Sequence, residues 1–189
     1  MTNAPDAPAS VPPYVVEVDD ELLLRRFEWP ADFPELNRVI DESVEHLRPW
    51  MEWAEDHGPD GTASFLSVRE ELWEKGAGFT YAIVVGGAIV GSCGLYQHED
   101  TPPDAYEIGY WLHPAATGKG LATRAARALI PLGFLLPGVR RLLVVHEPAN
   151  RASAAVPHRL GFREQAPLRD GDDEYQVWAL VRPESGPGS

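Results

Sequence analysis

The stretch 105–126, AYEIGYWLHPAATGKGLATRAA, sets a glycine pair between a β-rich run and a helix-forming run. Gly118 and Gly120 occupy the turn, and helix formers begin directly behind them. Such a turn presents successive backbone N–H groups at a helix N-terminus, where the helix dipole also favours an anion. Glycine omits the Cβ atoms that would hold a phosphate away from those amides. Lys119 and Arg124 could add charge at the rim. Two glycines alone would read better as a turn that binds nothing. The Gly-x4-Gly-Lys-Ser/Thr spacing of a nucleoside-triphosphate loop is missing, and so is the third glycine of a dinucleotide fingerprint.

Other chemically capable side chains are scattered. Asn150 and Ser153 stand three apart at the head of a helical pattern, where an asparagine can cap the helix. Trp50, Trp53 and Trp73 lie in or near two amphipathic helical segments; such aromatics are more often core than substrate walls. The six histidines show no metal-ligand spacing, so no metal is expected. Cys93 falls in a strand pattern and reads as a small buried residue rather than a nucleophile.

These groups need elements to position them. Residues 22–27 read as a short strand. Residues 32–47 carry Phe33, Leu36, Val39, Ile40, Val44 and Leu47 at helical spacing. A polar break precedes a second helix, with Thr62 as a candidate N-cap and Gly76 and Gly78 as its stop. The period then changes. Residues 79–85 and 88–95 are β-rich runs joined by Gly86-Gly87, a hairpin signal. Residues 105–112 form a third strand, in which 105, 107, 109 and 111 share one face and 106, 108, 110 and 112 the other. A helix over 118–136, a strand over 141–145, a helix over 150–160 and a strand over 175–181 complete the chain. The expected fold is mixed α/β: a mostly antiparallel central sheet with helices on both faces.

The 189 residues suit one domain, expected over 14–182. The Pro/Ala/Ser-rich residues 1–13 and the tail 183–189 read as disordered arms. A net charge of −13 argues against a nucleic-acid partner and is compatible with a cationic one. A lone cysteine excludes an internal disulfide framework. No apolar run approaches the roughly 20 residues of a membrane span, and the N-terminus lacks a signal-peptide pattern. A cytoplasmic protein without a membrane partner is expected, its oligomeric state open, a homodimer included.

Taken together, EIGYWLHP…TGKGLATRA and NRASAAVPHRLGF, with HLRPWMEWA at 46–54, resemble the GNAT acetyltransferase superfamily over roughly residues 20–182. The Asn-x-x-Ser…Leu-Gly-Phe pattern resembles its branch of ribosomal-protein N-terminal acetyltransferases. The resemblance implies acetyl-CoA as co-substrate, held between two splayed parallel strands, here 105–112 and 141–145. Its pyrophosphate would meet Thr117, Gly118, Lys119, Gly120, Leu121 and Ala122, and its pantetheine arm the backbone of Trp111, Leu112 and His113, with Asn150 assisting. Glu107 would be the base and Ser153 the acid, and Trp50 and Trp53 would border the acceptor. The acceptor would be an amine-bearing protein or peptide; a small-molecule amine and a catalytically silent acyl-CoA-binding module are the alternatives. Two departures stand out. Ala115 and Thr117 replace polar residues usual before the first glycine of the loop. Pro157 interrupts the last helix, and should strip the Ser153 carbonyl of its helical partner and kink or shorten the helix.

Overall fold

The computed structural model describes residues 11–183. The arm expected over 1–13 lies outside the described residues up to residue 10, and the tail expected over 183–189 lies outside them from residue 184. Strands β1 (Val15–Glu17), β2 (Leu22–Arg26), β3 (Gly78–Val85), β4 (Ala88–Tyr96), β5 (Ala105–Leu112), β6 (Arg141–His146), β7 (Arg163–Glu164) and β9 (Asp173–Val181) form one sheet in the order β1-β2-β3-β4-β5-β6-β9-β7. The short β8 (Leu168–Asp170) pairs with β9. Every pairing is antiparallel except β5–β6.

Helices cover both faces. The alternation of β3 sorts Phe79, Tyr81 and Ile83 into one apolar cluster and Ala82 and Val84 into another. Helix α5 (Leu121–Leu135) and Val156 of α6 (Arg151–Arg159) close the first cluster. Leu36 and Ile40 of α1 (Phe33–Asp41) and Leu66 of α3 (Pro59–Ser67) close the second. Trp73 of α4 (Arg69–Glu74) packs edge-on against Phe79 and Tyr81.

Several expectations need correction. The first helix is two, α1 and α2 (Val44–Leu47), because the buried Ser43 hydroxyl donates to the Val39 carbonyl at 2.6 Å and competes with the backbone there. The second divides into α3 and α4 at Val68. Thr62 is not an N-cap: Gly58 takes that position, Pro59 opens the helix, and Thr62 is buried within it. Helix α6 is not shortened at Pro157, but runs through it to Arg159.

One feature of the sheet governs the site. The parallel strands β5 and β6 pair only through Ala105–Arg141, Tyr106–Leu142 and Glu107–Leu143. Beyond Glu107 they diverge, while β5 stays paired with β4 and β6 with β9. The gap between them pierces the sheet.

Candidate active site

A cavity of about 600 Å³ fills this gap and reaches both faces of the sheet. Glu107, Ser153, Asn150, Trp50 and Trp53 all line it. Thr117–Ala122 do not, and form a separate turn beyond the end of β5.

That turn begins where β5 is anchored. The His113 N–H donates to the Val90 carbonyl at 2.8 Å, and Val90 is the extra residue of a bulge in β4. The His113 ring accepts the Ala115 N–H at 3.1 Å and lies 3.2 Å from Glu42. Gly118 and Gly120 both adopt φ +74°, a conformation that favours glycine. Gly118, Lys119 and Gly120 donate no backbone hydrogen bond among the described residues, and the first amides of α5 precede its first intrahelical bond, Arg124 to Gly120. The turn is therefore a row of unused N–H groups at the N-terminus of a 15-residue helix. Lys119 is exposed beside it, whereas Arg124 is committed to Asp19 and Glu21. The side chains of Leu112 and Leu121 are buried in the core, leaving only their backbone for a ligand.

On one face of β5 stand Glu107, Gly109 and Trp111. The Glu107 side chain makes no hydrogen bond or ion pair among the described residues, and burial pushes its carboxyl up to about 7. A carboxylate at that value is part ionised at neutral pH and suited to taking a proton. The ring of Tyr96 lies close over Gly94 and Gly109, where a Cβ would meet it at 2.7 Å and 3.1 Å. Trp111 and Trp53 are tilted at 57° with ring centroids 6.0 Å apart.

On the other face, Asn150 Oδ1 accepts the Ser153 N–H at 3.0 Å and caps α6. Pro157 removes the N–H that would have met the Ser153 carbonyl. The Tyr110 hydroxyl donates to that carbonyl at 3.0 Å instead, while Ser153 Oγ donates to Tyr110 Oη at 3.2 Å. Burial pushes the Tyr110 phenol up to about 12 and keeps it a donor. Two hydroxyls are thus locked together on the cavity wall by a proline four residues away.

Sequence reasoning missed Tyr110, although strand alternation put it opposite Glu107 and Pro157 announced a free carbonyl. It also missed His146, which is buried at the end of β6. The indole N–H of Trp178 donates to His146 Nε2 at 3.1 Å, so Nδ1 carries the proton and donates to the Glu147 carbonyl at 2.7 Å. Among the described residues no group of three or more His, Cys, Asp or Glu could hold a metal. Cys93 is fully buried, and burial pushes its thiol up, away from thiolate chemistry.

A sheet parted at two parallel strands, with a phosphate-competent turn at the end of the first, is accompanied by a family match. Residues 21–163 match the acetyltransferase (GNAT) domain. The chain belongs to the GNAT acetyltransferase family. It is similar to YdaF of Bacillus subtilis, a candidate ribosomal N-acetyltransferase, with 28% identity covering 84% of this chain and 86% of that protein. The uncharacterized N-acetyltransferase p20 of Bacillus licheniformis is 34% identical over 80% of this chain and 78% of its own. Among solved structures, the ribosomal L7/L12 α-N-protein acetyltransferase RimL with coenzyme A aligns with TM-score 0.80 and 20% identity over 88% of this chain and 97% of its own. The microcin C7 self-immunity acetyltransferase MccE with acetyl-CoA and AMP also aligns at 0.80, with 21% identity over 92% and 99%. The protein is an acetyltransferase of the class whose acetyl donor is acetyl-CoA. The residues present fit that donor: unused amides for phosphates, and an unpaired strand edge leading from them into the cavity. None of the described helices is long and apolar enough to cross a membrane.

Proposed function

We propose that the protein acetylates the N-terminal α-amino group of a protein or peptide, by direct attack of the amine in a ternary complex. The observation that carries this reading is the cavity through the β5–β6 gap, with an unpartnered Glu107 on one side and Ser153 on the other. The amides of Gly118, Lys119, Gly120, Leu121 and Ala122 hold the pyrophosphate of acetyl-CoA; Thr117, expected among them, instead donates its N–H and its hydroxyl to the Pro114 carbonyl. The free edge of Trp111, Leu112 and His113 pairs with its pantetheine arm, and Asn150 keeps α6 capped against it. Acetyl-CoA supplies the acetyl group as a thioester. Glu107 removes a proton from the attacking amine, directly or through water, as the N–C bond forms. As the C–S bond breaks, the Ser153 hydroxyl turns its hydrogen bond from Tyr110 Oη to the leaving sulfur, and coenzyme A departs as a thiolate that takes its proton from water. Holding two reactants in line supplies most of the acceleration such a reaction needs. RimL and YdaF, whose names carry ribosomal acetylation, support a protein acceptor.

A small-molecule amine is the second reading, favoured by the Trp53–Trp111 pair and by the likeness to MccE. No lysine or arginine lines the cavity among the described residues, so no permanent cation there would meet an acceptor phosphate. The deciding experiment is thiol release from acetyl-CoA with free N-terminal peptides, N-blocked peptides carrying internal lysine, polyamines and aminoglycosides. Turnover confined to free N-termini is expected. Turnover confined to polyamines or aminoglycosides would replace the reading.

A further inference from the structure

The acceptor side of the cavity is chemically lopsided. Three carboxylates line it, Glu107, Asp56 and Glu147, and no lysine or arginine does among the described residues. Asp56 and Glu147 form no side-chain ion pair there either. Tyr175 lines the same cavity from β9. Its phenol is raised first by burial, then by the negative charges of Asp173, Glu52, Glu147 and Asp170. Glu52 comes from the turn before α3 and Asp170 and Asp173 from the β8–β9 hairpin, so both walls of the mouth bring carboxylates to it.

A cluster of acids on its own can serve solubility alone. Here a second observation points to a ligand. Thr62 is only 2% exposed and is among the residues that line the same cavity, and its Oγ1 has no hydrogen-bond partner among the described residues. A buried hydroxyl without a partner costs stability, so buried polar groups are nearly always paired. An extended peptide offers the missing partner in a backbone N–H or C=O.

We infer that the acceptor is a peptide with a lysine or arginine within a few residues of the acetylated N-terminus. Its second cation rests against Asp56 and Glu147, and its backbone bonds to Thr62. This rests on the N-terminal reading above and names the class of N-terminus. A monocationic or anionic peptide leaves the mouth uncompensated, whereas a second cation is both steered in and held.

The test measures kcat/KM by thiol release for peptides that share an N-terminal residue and carry lysine, norleucine or glutamate at positions 2 to 5, with spermidine alongside. The lysine peptide at the best position should exceed its norleucine partner by about 10-fold, with glutamate lower still, and the margin should shrink in high salt. In the Asp56→Asn, Glu147→Gln double variant the lysine-to-norleucine ratio should fall towards one; measurable turnover of the norleucine peptide shows that the variant is folded. Thr62→Val should raise KM for every peptide by several-fold while keeping that ratio, and should not lower thermal stability, since it removes an unpaired group. Equal kcat/KM for lysine, norleucine and glutamate peptides would overturn the inference and leave peptide acetylation standing. A ratio that survives in the double variant would overturn the placement of the cation, and an unchanged KM in Thr62→Val that of the backbone. Turnover of spermidine with none of any peptide would remove the N-terminal reading itself.

Discussion

Replacing Pro157 by alanine should make the protein more stable and slower. The proline takes a hydrogen bond from the interior of α6, and its vacated acceptor, the Ser153 carbonyl, holds the Tyr110 hydroxyl at 3.0 Å. Alanine restores the N–H and the helical bond. Proline within a helix costs about 3 kcal/mol relative to alanine, offset by roughly 1 kcal/mol because proline also restrains the unfolded chain. The displaced Tyr110 bond is worth about 1 kcal/mol. The difference is a gain of about 1 kcal/mol, or a rise in Tm of about 2–4 °C for a chain of this length. Tyr110 then loses its anchor, and Ser153 Oγ its fixed partner. Single-turnover acetyl transfer should slow by about 10-fold at saturating acetyl-CoA, less than the roughly 100-fold or more of losing an acid–base group outright, because the Ser153 hydroxyl remains and loses only its orientation. Tyr110→Phe should slow the reaction similarly but lower Tm, since it leaves the carbonyl unsatisfied. A Pro157→Ala protein that melts lower would refute the account of the carbonyl. One that melts higher and turns over at the normal rate would show that the lock on Ser153 has no part in catalysis.

Other outcomes follow from the same geometry. Glu107→Gln should lower turnover by roughly 100-fold or more with little change in acetyl-CoA affinity, and the acid limb of the rate profile near pH 7 should disappear. The sign for stability is opposite: a buried carboxyl with a raised folded value costs the fold nothing below its ordinary value of 4.5, progressively more as pH climbs from there to about 7, and the full penalty above, so Glu107→Gln should raise Tm at pH 8 and not at pH 4, as calorimetry can check. Ser153→Ala should slow transfer by about 10-fold while acetyl-CoA still binds by calorimetry. Acetyl-CoA at about 100 times its dissociation constant should stabilise the protein by about 2.7 kcal/mol. A thermal melt should show no such shift in Gly120→Glu, which sets a carboxylate among the phosphate-binding amides.

Local signals carried far in this chain. Gly86-Gly87 marked the β3–β4 hairpin, and strand alternation placed Glu107 and Trp111 on a common face, as found. The boundaries that failed turn on single side chains. Ser43 ends α1 through a bond to a carbonyl that only a folded helix presents. Thr62 looked like a cap by type, yet Pro59 three residues earlier was the stronger start signal. Strands β1, β7 and β8 are two or three residues long, too short to show a local period; β1 and β8 exist by pairing with the strand that follows, and β7 by pairing with Trp178 and Ala179 of β9. In the site, Glu107 and Ser153 were legible as motif positions, but Tyr110 was not. Its importance depends on a carbonyl 43 residues away being left free by a proline in another element.

The parting of β5 from β6 also has a kinetic meaning. The cavity has one wall on the α5–α6 side of the sheet and another on the side of α1 and α3. Donor and acceptor can therefore use separate doors, with the sheet between them. Neither reactant must leave for the other to enter, so the architecture imposes no double-displacement order and no queue at a shared exit. Initial-rate lines against both substrates should intersect rather than run parallel. Coenzyme A should compete with the donor while leaving the acceptor's own doorway clear.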